Sequence, residues 1–289
     1  MSVGHDKAGR GMTEDHGGAD DARPLPPVVQ QIPVHCATRE GGSIDRLDVL
    51  AEETPVALVY NGVSHAVMMA SPADLEDFAV GFSISEGIAD SKADLGAVEV
   101  IPVANGVEVR IELSSRAFWH LKERRRSLAG RTGCGLCGVE SLDQTVRDLP
   151  RLESGLKVSL AAVHRALDAL PAAQVHNRAA RSLHAAAFAT AEGELKLVRE
   201  DVGRHNALDK LIGGVVRGGL DAAAGMCIIT SRCSFEMAQK TIAAGFPVLV
   251  AVSAPTLMAQ RLAEAHNLAM VALARPDSVV LVSHPERVY

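Results

Sequence analysis

Short runs of apolar residues, broken by turn residues, mark the first third of the chain as strand-forming. Val56-Ala57-Leu58-Val59-Tyr60 stops at Asn61-Gly62 and resumes from Val63 to Met69. Asn-Gly between apolar runs is the strongest short hairpin signal. Val98 to Val103 and Val107 to Leu113 repeat the pattern around Asn105-Gly106. Between the hairpins the period lengthens, and Leu75, Phe78, Ala79 and Phe82 predict a helix with one apolar face. Ser71 is placed to cap it, with Pro72 at the first helical position and Asp74 in the first turn. This is a small α+β unit, and Arg116 to Ser127 predicts a basic helix after it.

From about Val158 strands and helices alternate. Leu195 to Val198, Met226 to Ile229, Val248 to Val252 and Ala269 to Leu273 read as strands. The first three are followed by helices with apolar faces: Leu208, Leu211, Ile212, Val215 and Val216; Phe235, Ala238 and Ile242; Leu257, Met258 and Leu262. Such alternation predicts a largely parallel sheet with covered faces. The four loops would then gather at one sheet edge, where ligands of open α/β folds sit and helix N-termini offer N-H groups to anions. They carry Arg204 and His205, Ser231 and Arg232, Ser253, and Arg275, donors suited to phosphate. A plainer reading makes each Ser or Thr a helix cap and pairs each Arg with a carboxylate such as Asp201 or Glu236.

The 289 residues are 47% hydrophobic but only 3% aromatic, which suits close helix-on-sheet packing in one large or two medium domains. The boundaries fall at a disordered tail (1–28), a small α+β domain (29–130), a mobile cysteine loop (131–138) and an α/β domain (139–289). A net charge of -6 gives no reason to expect nucleic acid as a partner. Met1 to Arg23 lack the apolar core of a signal peptide, and no apolar run is long enough to span a membrane. Five cysteines without an export signal point to a reducing cytoplasm.

The densest chemistry is Arg131-Thr132-Gly133-Cys134-Gly135-Leu136-Cys137-Gly138, just after Lys122-Glu123-Arg124-Arg125-Arg126. Nearby cations favour thiolate over thiol, so Cys134 or Cys137 is a candidate nucleophile. Two other readings stand beside it. One is half of a structural zinc site, completed by distant histidines such as His184 or His205; the other is a thiol-disulfide oxidoreductase pair. Walker and Gly-x-Ser-x-Gly patterns are absent. His184 is followed by Ala185-Ala186 and not by x-Glu, so a zinc deaminase activity is not expected.

Several blocks together resemble the FdhD family, sulfur carrier proteins needed for active formate dehydrogenase. They are Asn61-Gly62, Pro72 to Phe82 with Ser85-Glu86-Gly87, Cys134-Gly135-Leu136-Cys137-Gly138, Arg199 to Lys210, Ser234-Phe235-Glu236 with Lys240, Ala251 to Thr256, and Ser283 to Arg287. The resemblance implies a cytidine deaminase-like α/β/α domain with a smaller N-terminal α+β domain, and a homodimer. It implies a sulfurtransferase that takes sulfur from a cysteine desulfurase as a cysteine persulfide. The acceptor is the molybdenum of the bis(molybdopterin guanine dinucleotide) cofactor, bound as substrate before insertion into formate dehydrogenase. The persulfide cysteine falls on Cys134, with Cys137 as its neighbour. The stretch that binds the cofactor, or a guanine nucleotide, falls on Leu273, Ala274, Arg275, Pro276, Asp277 and Ser278. The family's Thr-Gly-Gly before His-Ala-Ala is replaced by Arg181-Ser182-Leu183. Leu273 stands where the family tends to have Phe.

Overall fold

In the computed structural model the described residues are 24–129 and 148–289, and of 124–129 the backbone alone. The cysteine loop lies outside them, as does the tail as far as residue 23. Among the described residues twelve strands fall into three sheets: an antiparallel ribbon of β1 (Val29–Ala37) and β2 (Ser43–Ala51), a four-stranded sheet and a six-stranded sheet.

The four-stranded sheet has the order β4-β3-β6-β5, from β3 (Thr54–Tyr60), β4 (Val63–Ala70), β5 (Leu95–Val103) and β6 (Gly106–Leu113). Both Asn-Gly hairpins form, with Tyr60 opposite Val63 and Val103 opposite Gly106. Helices α1 (Leu75–Ser85) and α2 (Ser115–Ala129) cover one face, burying Leu75, Phe78, Ala79, Ala117 and Leu121 against Leu58, Tyr60, Val109 and Ile111.

The entry to α1 corrects the sequence reading. Asp74, in the left-handed region at φ 52°, occupies the N-cap position, and Leu75 is the first helical residue. Ser71 does not cap the helix. Its hydroxyl accepts from Val202 N-H, its own N-H donates to Asp201, and its carbonyl accepts from Lys210. The Ser-Pro segment is thus spent on a contact 130 residues away in sequence.

The six-stranded sheet has the order β12-β11-β10-β9-β7-β8. Its strands are β7 (His184–Thr190), β8 (Leu195–Asp201), β9 (Gly225–Ile229), β10 (Val248–Ala251), β11 (Ala269–Ala272) and β12 (Val280–Ser283). Only β9, β10 and β11 pair in parallel; β12 is antiparallel to β11, and β7 is antiparallel to both of its neighbours. The sheet is therefore mixed, not largely parallel. Strand β7, whose run Ala185-Ala186-Ala187 carries no strand propensity, turns back through Gly193 at φ 84° and lies between β8 and β9. Because β7 opposes both, β8 still runs in the same direction as β9 to β11.

Side chains alternate across this sheet with period two. Cys227, Ile229, Leu249, Ala251, Met270 and Ala272 meet α5 (Arg204–Arg217), α6 (Phe235–Ala243) and α7 (Leu257–Ala265). Met226, Ile228, Val248, Val250, Ala269 and Val271 meet α3 (Leu160–Ala173), which Ser159 caps. A short helix, α4 (Val175–Ala180), leads into β7. Among the described residues no helix is long and apolar enough to cross a membrane.

The N-terminal sheet is joined to this layer by α1 crossing α5. A Cβ on Gly81 would overlap the Asp209 carbonyl, and one on Gly213 would overlap the Asp77 carbonyl, so backbones touch where side chains normally intervene. Replacing Gly81 with Ala is expected to destabilise the protein by about 3 kcal/mol or more, read from urea unfolding; a loss within experimental error would show that the helices separate freely.

Candidate functional site

The C-terminal ends of β8, β9, β10 and β11 and the N-terminal end of β7 share one edge of the six-stranded sheet, since His184 lies opposite Asp201 and Ala186 opposite Ile229. The expected gathering of four loops is therefore present. Each loop is tied to the next. Thr230 N-H donates to the Ala185 carbonyl while its hydroxyl accepts from Ala185 N-H. Val252 N-H reaches Ile229, Cys233 N-H reaches Ala254, Leu273 N-H reaches Ser253 and Ala274 N-H reaches Ala251, all at 3.0 to 3.2 Å. These bonds make the edge a continuous, fixed rim.

The predicted donors sit on that rim. Arg204 and His205 open α5, whose N-cap Gly203 supplies no side-chain cap. Ser231 is buried and Arg232 exposed in the β9–α6 turn, and Ser253 follows β10 half-buried. After β11, Leu273 takes the left-handed conformation at φ 47° and Arg275 N-H closes a small turn on the Ser278 carbonyl at 2.8 Å. Leu273, Arg275, Pro276, Asp277 and Ser278 are exposed, and Ala274 is buried beneath them.

The plainer reading of these residues fails for the arginines and holds in part for the caps. Asp201 is taken by Lys210 and Glu236 by His205, both at 2.7 Å. Among the described residues Arg204, Arg232 and Arg275 have no carboxylate within ion-pair reach. Thr256 does cap α7, by accepting from Ala259 N-H, whereas Ser234 makes no cap bond on α6. Three guanidinium groups without acidic partners among the described residues, and two helix starts without side-chain caps, make the rim suited to an anion carrying several negative charges.

Two histidines report the same field. Burial lowers the pKa of His184, and Arg204 lowers it further. Burial and Arg204 also lower His205, against the opposing pull of Glu236. Both imidazoles therefore favour the neutral form at neutral pH.

Beneath the rim lies a layer of charge that sequence reasoning did not single out as a site. Lys210 and Asp201 pair with both side chains wholly inaccessible. Lys240 donates to both oxygens of Asp209 and to Ser85 and Glu86. Burial works against the Lys240 ammonium, but Asp209 and Glu86 outweigh it and raise its pKa. Arg199 and Arg217 both grip Asp77. The available signal was Asp209-Lys210 inside the otherwise apolar helix of Leu208, Leu211 and Ile212.

Cys227 and Cys233 are fully buried, and burial pushes the Cys227 thiol up and the Cys233 thiol to about 12, so neither supplies thiolate near neutrality. Cys36 lies half-buried on β1. Cys134 and Cys137 lie outside the described residues. Among the described residues no three His, Cys, Asp or Glu side chains converge as a metal site.

A mixed α/β layer with a cation-lined sheet edge defines the class of the molecule, and comparison with known proteins places it further. Residues 51–289 match the FdhD/NarQ family. A protein of Bordetella petrii named sulfur carrier protein FdhD is 51% identical over 246 residues, covering 85% of this chain and 88% of its own. The protein of that name from Variovorax paradoxus is 49% identical over 245 residues, covering 85% of this chain and 88% of its own. A crystal structure from Desulfotalea psychrophila, described as a formate dehydrogenase accessory protein, superposes with a TM-score of 0.72 at 20% identity, covering 91% of this chain and all of that one. The chain belongs to the FdhD/NarQ family.

The electrostatics of the rim give a direct test. A histidine whose folded pKa lies below its ordinary value of about 6.5 costs stability as pH falls from that value toward the folded one, because the unfolded chain binds the proton more readily. Arg204→Gln removes a repelling charge and is expected to raise the pKa of both His184 and His205 in an NMR titration. Unchanged titration of both would place Arg204 away from the imidazoles.

Proposed function

We propose that this chain is a sulfur carrier that receives sulfur from a cysteine desulfurase as a persulfide on Cys134. It passes that sulfur to the molybdenum of the bis(molybdopterin guanine dinucleotide) cofactor for formate dehydrogenase, acting in the cytoplasm. The observation that carries the reading is membership of a family whose relatives, matched along 88% of their length, are named sulfur carriers. The structure supports it by elimination: two of the five cysteines are sealed in the core with raised thiol pKa values, which leaves the loop pair and Cys36.

Loading is a thiol exchange. The Cys134 thiolate attacks the outer sulfur of the donor's persulfide, a Cys134 S–S bond forms, and the donor's cysteine leaves as thiolate. For delivery, the Cys137 thiolate attacks the inner sulfur of the Cys134 persulfide. A Cys134–Cys137 disulfide forms, and the outer sulfur leaves as hydrosulfide, reduced by the two electrons that Cys137 gives up. A cellular dithiol reductant then restores both thiols.

The cofactor is the substrate of this transfer, and its two guanine dinucleotide tails carry pyrophosphate groups. The residues of the rim fit such a group: Arg204, Arg232 and Arg275 lack acidic partners among the described residues, and α5 starts without a side-chain cap. They would hold the phosphates, with Ser231, Ser253 and Ser278 as hydroxyl donors and His205 beside them. Ala274 would form the floor of the turn, and Leu273, Pro276 and Asp277 its outer wall. The family resemblance extends to a cytidine deaminase-like form for the layered domain, with the helices on both sheet faces as its support. Most of the catalysis on this reading is positioning.

Mass spectrometry of the whole chain after incubation with a cysteine desulfurase and cysteine tests the proposal. One sulfur atom should be gained on the 131–138 peptide, lost in Cys134→Ala and retained in Cys137→Ala, with onward transfer reduced in the latter. Full loading of Cys134→Ala would overturn the assignment. Stoichiometric zinc on the loop would instead support a structural module, and disulfide turnover without sulfur gain an oxidoreductase.

A further inference from the structure

The ribbon of β1 and β2 belongs to neither larger sheet, and among the described residues no third strand pairs with it. It precedes residue 51, where the family match begins. It touches the rest of the protein through α4 and through Arg181, which pairs with Asp48 at 2.9 Å. A two-stranded ribbon is at best marginally stable in water, and an unpaired edge is a template for another strand. Strand β2 adds exposed apolar surface, with Ile44 60%, Leu47 64% and Leu50 48% accessible.

We propose that β2 pairs edge to edge with β2 of a second copy of this chain, antiparallel about a two-fold axis at Leu47, to make a four-stranded sheet ordered β1-β2-β2-β1. The family resemblance implies a homodimer and is silent on the face; the face is the inference. A two-fold interface presents the same strand to itself, so the sequence of β2 must complement its own reverse.

Ser43-Ile44-Asp45-Arg46-Leu47-Asp48-Val49-Leu50-Ala51 does so about its central residue. Leu47 meets Leu47 of the other copy. Arg46 meets Asp48, and Ile44 meets Leu50, each twice by symmetry. Opposite charges and apolar pairs directly across from each other stabilise an antiparallel pair, and like charges there destabilise it. The two neighbouring symmetric registers centre on Arg46 or on Asp48, and would set two guanidinium groups or two carboxylates face to face. The charge pattern thus selects one register. Within its own strand Arg46 already reaches Asp48 at 3.1 Å, so both side chains lie on the same face of the ribbon, where a second copy would meet them.

Light scattering of the full chain tests this surface independently of sulfur chemistry. The unmodified protein should show twice its 30.4 kDa chain mass, and Leu47→Lys should show the single-chain mass with an unchanged far-ultraviolet spectrum. As a second measurement, mild oxidation should join Leu47→Cys into a covalent pair and leave Val67→Cys, equally exposed on β4, largely unjoined. A single-chain mass for the unmodified protein, an undiminished dimer in Leu47→Lys, or equal joining at both cysteines would each overturn the proposal.

Discussion

Two helix backbones in contact, with ion pairs buried around them, make one body of two layers. Where α1 crosses α5, Gly81 and Gly213 let main chains meet. Around that contact lie Lys210 with Asp201, Lys240 with Asp209 and Glu86, and Arg199 and Arg217 with Asp77. Such pairs do not add stability in proportion to their charge, since desolvation offsets much of their attraction. Removing one partner is another matter, costing about 3–5 kcal/mol because the other charge is left buried alone. The network therefore specifies how the layers meet more than it strengthens them.

That arrangement reaches the rim directly. Asp201 ends β8, accepts from Ser71 and Gly203 N-H groups and from Lys210, and so fixes the turn from which Arg204 and His205 project. Asn206 bonds both Asp201 and the Met69 carbonyl, so the start of α5 is held from two layers at once. Cations presented to a multivalent anion repel one another when the site is empty, and a rigid base lets them be held in place beforehand. Burial is the main cause that lowers the pKa values of His184 and His205, and the Arg204 charge adds to it.

Much of this fold was legible in the sequence. The Asn-Gly hairpins, α1, α2 and the alternating strands and helices from β8 to β11 follow from period and turn chemistry alone. Strand β7 was not, because Ala185-Ala186-Ala187 has no strand propensity and is held by its neighbours on both sides. The role of Ser71 was not, because a Ser-Pro-Ala-Asp run has the local form of a helix cap and its real partners, Asp201 and Val202, are 130 residues away or more. Long-range pairing was invisible for the same reason in Lys210, Lys240 and Asp77. The shared edge that carries Arg204, Arg232 and Arg275 was legible because strands running the same way bring their loops together whatever the side chains do. Glu236 was read as a possible arginine partner, and it pairs with His205 instead.

Hydrogen exchange tests the claim of a single body most directly. If the crossing joins the layers, the slowest amides of α1, of β3 and β6, and of α5 should open with the same free energy and respond together to denaturant. Protection of α5 persisting while α1 and its sheet exchange through a separate, lower-energy opening would contradict it.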